Sequence, residues 1–210
     1  MISVLELGTG NFGSILNMLR YIGAPAQLIS TPAEIQAATK ILLPGVGSFD
    51  NAMNAMRKRG LITPLKERVL QDRVPLLGIC LGMQLLGLGS EEGSQEGLGL
   101  IAAHSRLFRF PDAVRLKVPH MGWNQIKPQK PSALLDGLPD DPRFYFVHSY
   151  HVDCQDRSDR LAQSDYGIDF TSMVERGNIA GAQFHPEKSH KFGMALLKNF
   201  SNLPRCSVPE

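Results

Sequence analysis

Apolar residues in the first half of the chain form short continuous runs, separated by segments in which they recur at helical spacing. The continuous runs predict buried strands over residues 2–7, 26–30, 40–47 and 74–79. The segments with helical spacing predict helices over residues 14–22, 49–60 and 61–70, the first of them ending at a Gly23 C-cap. Strands that alternate with helices are typical of parallel βαβ units, so this half predicts a parallel sheet flanked by helices.

The pattern changes near residue 104, where strand-like segments follow one another. The segment at 171–184 predicts a hairpin turn at Glu175–Asn178, and a final helix is predicted over residues 190–200. The other strand-like segments are 105–110, 114–118 and 143–152. We therefore expect one α/β domain over residues 1–210, with a central, mostly parallel sheet and an antiparallel C-terminal extension.

Composition and charge narrow the class of protein. The 210 residues carry a net charge of +2 and no run of Lys or Arg, which argues against nucleic-acid binding. Cys80, Cys154 and Cys206 are far apart and form no CxxC pair, so neither a disulfide framework nor a zinc site is expected. The N-terminus has no basic region before its apolar residues, and the apolar run 74–89 is short and interrupted for a membrane span. These features predict a cytoplasmic protein that binds no membrane.

The most apolar run contains a cysteine between two glycines. Residues 78–82 (GICLG) have the spacing of a nucleophile elbow, in which a sharp turn from strand to helix lifts a reactive side chain out of the sheet. Glycines on either side avoid the clashes that side chains would make in such a turn. The N-terminus of the helix also favours a negatively charged sulfur. We therefore interpret Cys80 as a nucleophile, and Cys154 and Cys206, which lack this context, as structural thiols.

A thiol nucleophile needs a base, and the chain has six histidines. His185 stands in the segment AQFHPEKS, where Pro186 favours an extended preceding residue and Glu187 follows two positions after the histidine. His185 and Glu187 would then point to the same side of an extended segment. The carboxylate could hold the imidazole in one tautomer while the other ring nitrogen faces Cys80. We predict that Cys80, His185 and Glu187 act as nucleophile, base and orienting group.

Attack of the thiol on a carbonyl carbon would create an oxyanion, which backbone amides can stabilise. The N–H of Leu81, directly after the nucleophile, is the expected first donor. The second is expected from the glycine-rich loop at residues 44–47, with Val46 and Gly47 as candidates, because glycines present amides without obstruction. Glycine loops follow three predicted strands, so they are expected to meet at one rim of the sheet.

Two further motifs permit different functions. Residues 8–13 match the G-x-G-x-x-G pattern of dinucleotide-binding proteins, but the next predicted strand, near 27–32, ends without the acidic residue that this fingerprint requires. Residues 148–151 (HSYH) bring two histidines together without a cluster of cysteines or carboxylates, so no metal site is predicted.

Together these segments resemble the class I glutamine amidotransferases, and within that class the glutaminase subunits of imidazole glycerol phosphate synthases. GICLGMQ and FHPEKS are similar to the whole class, whereas PHMGWN and FVHSYH are similar to these subunits in particular. The resemblance runs the length of the chain. It implies that L-glutamine is hydrolysed through a thioester at Cys80, with no metal or organic cofactor. It also implies a heterodimer with a cyclase or synthase partner that receives the ammonia.

The same resemblance assigns roles by motif position. Residues that would bind glutamine are Gly45, Gln84 and Glu92, with the backbone of Ser149 and Tyr150. Residues in motifs that face the partner are Asn11, His120 and Trp123.

Some segments resemble a paralogous group that supplies ammonia to a sugar-amidating synthase for surface polysaccharide. These are residues 10–19 and 187–200, and Glu6-Leu7 also departs from the Asp-Tyr that is common in the histidine-pathway subunits. A stand-alone cysteine hydrolase of the same fold, acting on peptides or γ-glutamyl compounds, is a second alternative. A non-catalytic interaction subunit is a third, which the complete set of nucleophile, base and orienting group disfavours.

Overall fold

The computed structural model describes residues 1–8, 11–111 and 115–204, and its central sheet is parallel in the N-terminal half. Four strands of this half run parallel in the order β2-β1-β3-β4: β1 (Ile2–Leu5), β2 (Ala26–Ile29), β3 (Ile41–Gly45) and β4 (Leu76–Cys80). The late strand β13 (Ile179–Ala182) adds to β4, also in parallel. The register sets Gly45 beside Cys80, so the glycine loop that follows β3 begins next to the predicted nucleophile.

Helices cover both faces of this sheet. They are α1 (Phe12–Tyr21), α2 (Pro32–Ala37), α3 (Phe49–Lys58), α4 (Ile62–Leu70), α5 (Leu81–Leu85) and α6 (His190–Asn202). Ile41 and Leu43 of β3 belong to a buried cluster that includes α3 and α4, whereas Leu42 belongs to a second cluster that includes α1 and α6. Successive side chains of a strand point to opposite faces, so a strand covered on both faces is continuously apolar.

The sheet becomes antiparallel beyond β13. Strand β13 pairs antiparallel with β12 (Asp169–Arg176), which is followed in the sheet by β10 (Tyr150–Cys154) and β6 (Ala103–Leu107). At the edges, β5 (Gly89–Ser90) runs parallel to β6, and β11 (Arg160–Asp165) pairs with both β12 and β8 (Lys127–Pro128). The mostly parallel sheet with an antiparallel C-terminal part is thus confirmed, as is the turn at Glu175–Asn178, where Gly177 has φ 58°.

A second, two-stranded sheet lies outside the main one. It pairs β7 (His120–Gln125) antiparallel with β9 (Arg143–His148), so that His120 lies opposite His148 and Trp123 opposite Tyr145. Short 3₁₀ helices occur at Arg157–Asp159 and Pro186–Lys188.

The strand-like interpretation of residues 114–118 is wrong for its described part. Residues 115–118 belong to no strand, and both Leu116 and Val118 are exposed, because no neighbouring element covers the apolar alternation there; Val114 lies outside the described residues. Within the described ranges, no helix is both long enough and apolar enough to cross a membrane.

Candidate active site

The cysteine at the end of β4 occupies a sharp turn directly before α5. Cys80 is the N-cap residue of α5 and has φ 55° and ψ −112°, a conformation that costs a non-glycine residue about 1–3 kcal/mol. The turn requires glycine around it: a Cβ added to Gly82 would lie 1.8 Å from the carbonyl oxygen of Leu43, and one added to Gly78 would lie 2.6 Å from the Gly82 oxygen. The structure therefore contains the strand-to-helix elbow that the glycine spacing predicts.

The predicted base and its carboxylate are in direct contact. Nδ1 of His185 lies 2.7 Å from Oε1 of Glu187, and both side chains are buried. His185 itself is extended, as Pro186 predicts, but the extended conformation predicted for the residues after it is wrong. Residues Pro186–Lys188 form a 3₁₀ turn, and within this turn the carboxylate approaches the ring. The other carboxylate oxygen, Oε2 of Glu187, is buried and has no hydrogen-bond partner among the described residues. His185 is therefore the group that compensates this buried negative charge.

The charge state of the histidine follows from its neighbours. Burial disfavours the protonated ring, but hydrogen bonds and charge interactions with Cys80 and Glu187 outweigh burial and raise the pKa of His185 to about 9. At neutral pH the imidazole is thus protonated and can donate a proton to a leaving group. Its Nδ1 is held by the carboxylate, so Nε2 is the nitrogen left to act on the sulfur and the substrate.

A serine that sequence reasoning missed fixes the backbone of this histidine. Oγ of Ser189 donates to the carbonyl oxygen of His185 at 2.6 Å and accepts from the N–H of Tyr145 at 3.0 Å. The N–H of His185 in turn donates to the Tyr145 carbonyl at 2.9 Å. The segment that carries the base is therefore attached to β9. Ser189 lies within the FHPEKS segment, but its role depends on contacts with β9 that the segment alone does not reveal.

Cys80 and His185, the predicted nucleophile and base, line one cavity of about 390 Å³, which is within the range of small-molecule sites. Leu81, Val46 and Gly47, the predicted oxyanion donors, line the same cavity. The N–H of Leu81 is the first in α5 and so is not used by the helix's own hydrogen bonds. Gly47 has φ 95°, a conformation that a side chain would strain.

Four of the five residues assigned to glutamine binding line this cavity: Gln84, Glu92, Ser149 and Tyr150. The carboxylate of Glu92 also accepts from the N–H of Phe49 at 2.8 Å, at the start of α3. Gly45 is the exception, because it is buried and does not line the cavity. A Cβ on Gly45 would lie 2.9 Å from both the Leu81 Cβ and the Gly82 nitrogen, so its glycine allows α5 to pack closely on β3.

The residues assigned to the partner-facing side differ in exposure. Trp123 is 48% exposed and stacks on His190, with ring centroids 5.6 Å apart. Asn11 is exposed and caps α1 by accepting from the N–H of Ser14. His120, by contrast, is only 3% exposed, so it lies beneath the surface and not on it. Thr9 and Gly10 of the same glycine-rich motif lie outside the described residues.

The other cysteines have different settings. Cys154 is buried, and burial raises its pKa to about 11, which keeps the thiol neutral. Cys206 lies outside the described residues. In the part of the chain that the structure describes, no three His, Cys, Asp or Glu side chains converge as a metal site would require.

Comparison with known proteins gives the family. The family model for "Glutamine amidotransferase class-I" matches residues 3–202. Proteins named "Imidazole glycerol phosphate synthase subunit HisH 2" are 50% identical to this chain in Pseudomonas aeruginosa, over 97% of this chain and 100% of the relative, and in Methanococcus maripaludis, over 95% and 98%. A solved structure described as "Structure of PurLQS from Thermotoga maritima" has a TM-score of 0.73 at 14% identity, covering 96% of this chain and 97% of that chain. This last likeness supports the fold alone.

Proposed function

The chain belongs to the class I glutamine amidotransferase family, and from that premise we propose that it is the glutaminase subunit of an imidazole glycerol phosphate synthase. In this role residues 1–210 form one glutaminase domain that works in the cytoplasm. It hydrolyses L-glutamine to glutamate and passes the ammonia to a cyclase with which it forms a heterodimer in histidine biosynthesis.

One observation carries the proposal: Cys80 and His185 line one cavity, and the carboxylate of Glu187 contacts Nδ1 of the His185 ring. This is the arrangement of nucleophile, base and orienting group that acyl transfer requires. The sulfur stands at the N-terminus of α5, where the helix's own hydrogen bonds leave the first N–H groups unused, and this position favours negative charge.

In the first half of the proposed reaction, the Cys80 thiolate attacks the side-chain amide carbon of glutamine. A C–S bond forms, and the amide oxygen becomes an oxyanion that accepts from the N–H of Leu81 and from an amide of the loop at residues 44–47. The His185 imidazolium then gives its proton to the amide nitrogen. The C–N bond breaks, ammonia leaves and a thioester remains on the sulfur.

In the second half, water attacks the thioester. His185, now neutral, takes a proton from the water as the new C–O bond forms. The C–S bond breaks and the electron pair returns to Cys80, which restores the thiolate and the imidazolium as glutamate leaves. The new carboxyl group loses its proton to solvent, so the sum is glutamine plus water giving glutamate, a proton and ammonia, with no cofactor.

Substrate orientation is proposed to come from the polar side of the cavity. Both hydrogens of the Gln84 amide are engaged, one by the Tyr150 carbonyl and one by Gln183, so its oxygen is the atom that can accept from the ammonium or amide of glutamine. Glu92 offers a carboxylate to the substrate ammonium. The backbone of Ser149 and Tyr150 completes this side.

A paralogous glutaminase that supplies a sugar-amidating synthase is the second candidate. Both relatives at 50% identity carry the number 2 in their names, which favours a paralogous set. Residues 10–19 and 187–200 favour the same candidate by their resemblance. The two candidates share the glutaminase chemistry and differ in the partner.

The deciding experiment is steady-state release of glutamate by the chain alone and with each candidate partner, supplied with that partner's own substrate. We expect slow hydrolysis by the chain alone and at least about tenfold activation by the histidine-pathway cyclase, within the range of one correctly placed oxyanion donor. The Cys80→Ala variant is the background control. Activation by the sugar-amidating synthase alone would replace the first candidate with the second. Full activity of the chain alone, unchanged by either partner, would favour a stand-alone hydrolase.

A further inference from the structure

Two buried glutamine side chains lie between the Cys80 sulfur and the backbone of β10. Nε2 of Gln183 is 3.8 Å from Sγ of Cys80, and Oε1 of Gln183 is 3.2 Å from Nε2 of Gln84. The same Nε2 of Gln84 is 3.3 Å from the carbonyl oxygen of Tyr150. Gln183 is fully buried, and it precedes the catalytic base by two residues.

The Tyr150 carbonyl fixes the orientation of both amides, because a backbone carbonyl can only accept a hydrogen bond. The Gln84 atom that faces it must therefore be the NH₂ group, whose second hydrogen is directed at Gln183. The Gln183 atom that receives this hydrogen must be its oxygen. The NH₂ group of Gln183 then faces Cys80, and the sulfur is the acceptor.

One neutral histidine contacts the Tyr150 carbonyl, and a second neutral histidine contacts the first. Nδ1 of His148 lies 2.8 Å from this oxygen, and Nε2 of His148 lies 3.0 Å from Nδ1 of His120. Burial lowers the pKa of His148 to about 3 and that of His120 to about 4, so both rings are neutral at neutral pH. His148 therefore donates through Nδ1 and accepts through Nε2. The carbonyl that sets the direction of the amides is thus itself held in place.

We propose that Gln183 is a further catalytic residue, which donates a hydrogen bond to the Cys80 thiolate and holds its sulfur toward the glutamine-binding cavity. An N–H donor binds a charged acceptor more strongly than a neutral one, so this contact favours the reactive form of the sulfur. The amide carries no charge and does not titrate, so it stabilises the thiolate whether or not His185 is protonated. In the second half of the reaction the same contact stabilises the negative charge that returns to the sulfur as the C–S bond breaks.

The inference rests on the proposed glutaminase only for the identity of the substrate. The hydrogen bond itself can be tested by alkylation of Cys80, which needs neither glutamine nor a partner. A Gln183 that served only to fill the interior would leave the pH profile of this alkylation unchanged, whereas a donor to the thiolate would not.

The test measures the rate at which iodoacetamide alkylates Cys80, followed by peptide mapping, as a function of pH. Gln183→Met keeps the length of the side chain and removes the donor. We expect the midpoint of the pH profile to move up by about one unit or more, so that alkylation below the wild-type midpoint slows by about tenfold, on the scale of a lost hydrogen bond to a charged group. Gln183→Glu should show a larger effect, because it places a negative charge beside the sulfur.

Ser172→Ala is the matched control. Ser172 is also fully buried, its carbonyl accepts from the N–H of Gln183 at 2.9 Å, and its Oγ has no hydrogen-bond partner among the described residues. This variant disturbs the same part of the interior without removing a donor to the sulfur, so its profile should match the wild type. The titratable residues around the cavity are unchanged in all variants: Glu92, His148, Tyr150, His185, Glu187 and Lys188.

A folded Gln183→Met protein with the wild-type rate and profile would overturn the proposal. If that variant does not fold, Gln183→Asn decides, because its shorter side chain keeps the amide but withdraws it from the sulfur. An unchanged pH profile together with normal glutaminase activity would reject the role of Gln183 and leave the proposed function intact. Absence of glutaminase activity in the wild type would reject the proposed function and leave the alkylation result valid.

Discussion

Glu187 approaches His185 to 2.7 Å, and its second carboxylate oxygen has no partner among the described residues. The carboxylate therefore acts on one neighbour, whose tautomer it fixes and whose protonated form it favours together with Cys80. Replacing His185 with Ala removes the group that moves the proton, and general acid–base catalysis is worth roughly 10²–10⁴ in rate. We expect His185→Ala to lose at least this factor in glutaminase kcat, and Glu187→Gln to lose less, because the ring remains in place.

The control for this comparison is the alkylation of Cys80 by a glutamine-mimicking diazo-ketone, which reports whether the cavity is intact. His151→Ala is a second control, because His151 is a half-buried histidine that does not line the cavity. If His151→Ala were as damaging to glutamine hydrolysis as His185→Ala, the assignment of the base would be wrong.

The three cysteines should differ in reactivity. Cys80 opens into the cavity, whereas Cys154 is buried with its pKa raised to about 11, so the latter offers almost no thiolate at neutral pH. We expect the diazo-ketone to label Cys80 first and the Cys80→Ala protein to have no glutaminase activity. Peptide mapping after short exposure measures the first outcome. Label found first on Cys154 or Cys206 would contradict it.

The elbow could be predicted from the sequence because its determinants are adjacent: glycines two positions on either side of Cys80 have one structural explanation. The same is true of His185 and Glu187. Gln183 could not be recognised, because its role depends on Gln84, 99 positions away, and on the direction of a backbone carbonyl. Local spacing carries no information about either.

His120 illustrates a second limit of the sequence. Its motif predicted a position on the partner-facing side, yet the residue is buried, because β7 pairs with β9 and the imidazole stacks on Tyr166 at 4.0 Å. The pattern of residues in the polar sequence HMGWNQ does not predict a strand with one buried face. The burial arises from residues far along the chain, in β9 and after β11.

The buried histidine pair makes a prediction about acid stability. The pKa values of His148 and His120 are lowered by burial to about 3 and about 4, below the value near 6.5 of the unfolded chain. The stability that depends on keeping these two rings neutral is therefore fully present above about pH 6.5, and it is lost as the pH falls toward 4 and then 3. Each histidine should cost about 1.4 kcal/mol of unfolding free energy per pH unit in this window.

Urea unfolding at pH 7 and pH 5 measures this effect. The His148→Gln variant should lose less stability between the two pH values than the wild type, whatever its stability at pH 7. His104→Gln is the control, because His104 is exposed on β6 and should leave the wild-type difference intact. Equal losses for the wild type and His148→Gln would show that the buried pair does not govern the acid response.

The final prediction concerns Trp123 and the response to a partner. Its ring is 48% exposed, stacks on His190, and meets the ring of Tyr145 edge-on at 6.2 Å. The carbonyl of Tyr145 accepts from the N–H of His185, so a partner that covers the tryptophan would contact the strand that holds the predicted base. Tryptophan is also enriched among the residues that dominate binding energy at interfaces. We expect Trp123→Ala to weaken activation by the cognate synthase.

The measurement is glutamate release as a function of synthase concentration, with the synthase substrate present. Trp123→Ala should need more synthase for half-maximal activation, by about tenfold or more if the residue contributes as interface anchors do. Tyr21→Ala is the control, because Tyr21 is an exposed aromatic residue at the far end of α1 from Asn11 and should respond as the wild type does. Retained labelling of Cys80 by the diazo-ketone would confirm that the variant is folded. A wild-type activation curve for Trp123→Ala would place the partner's main contact elsewhere on the chain.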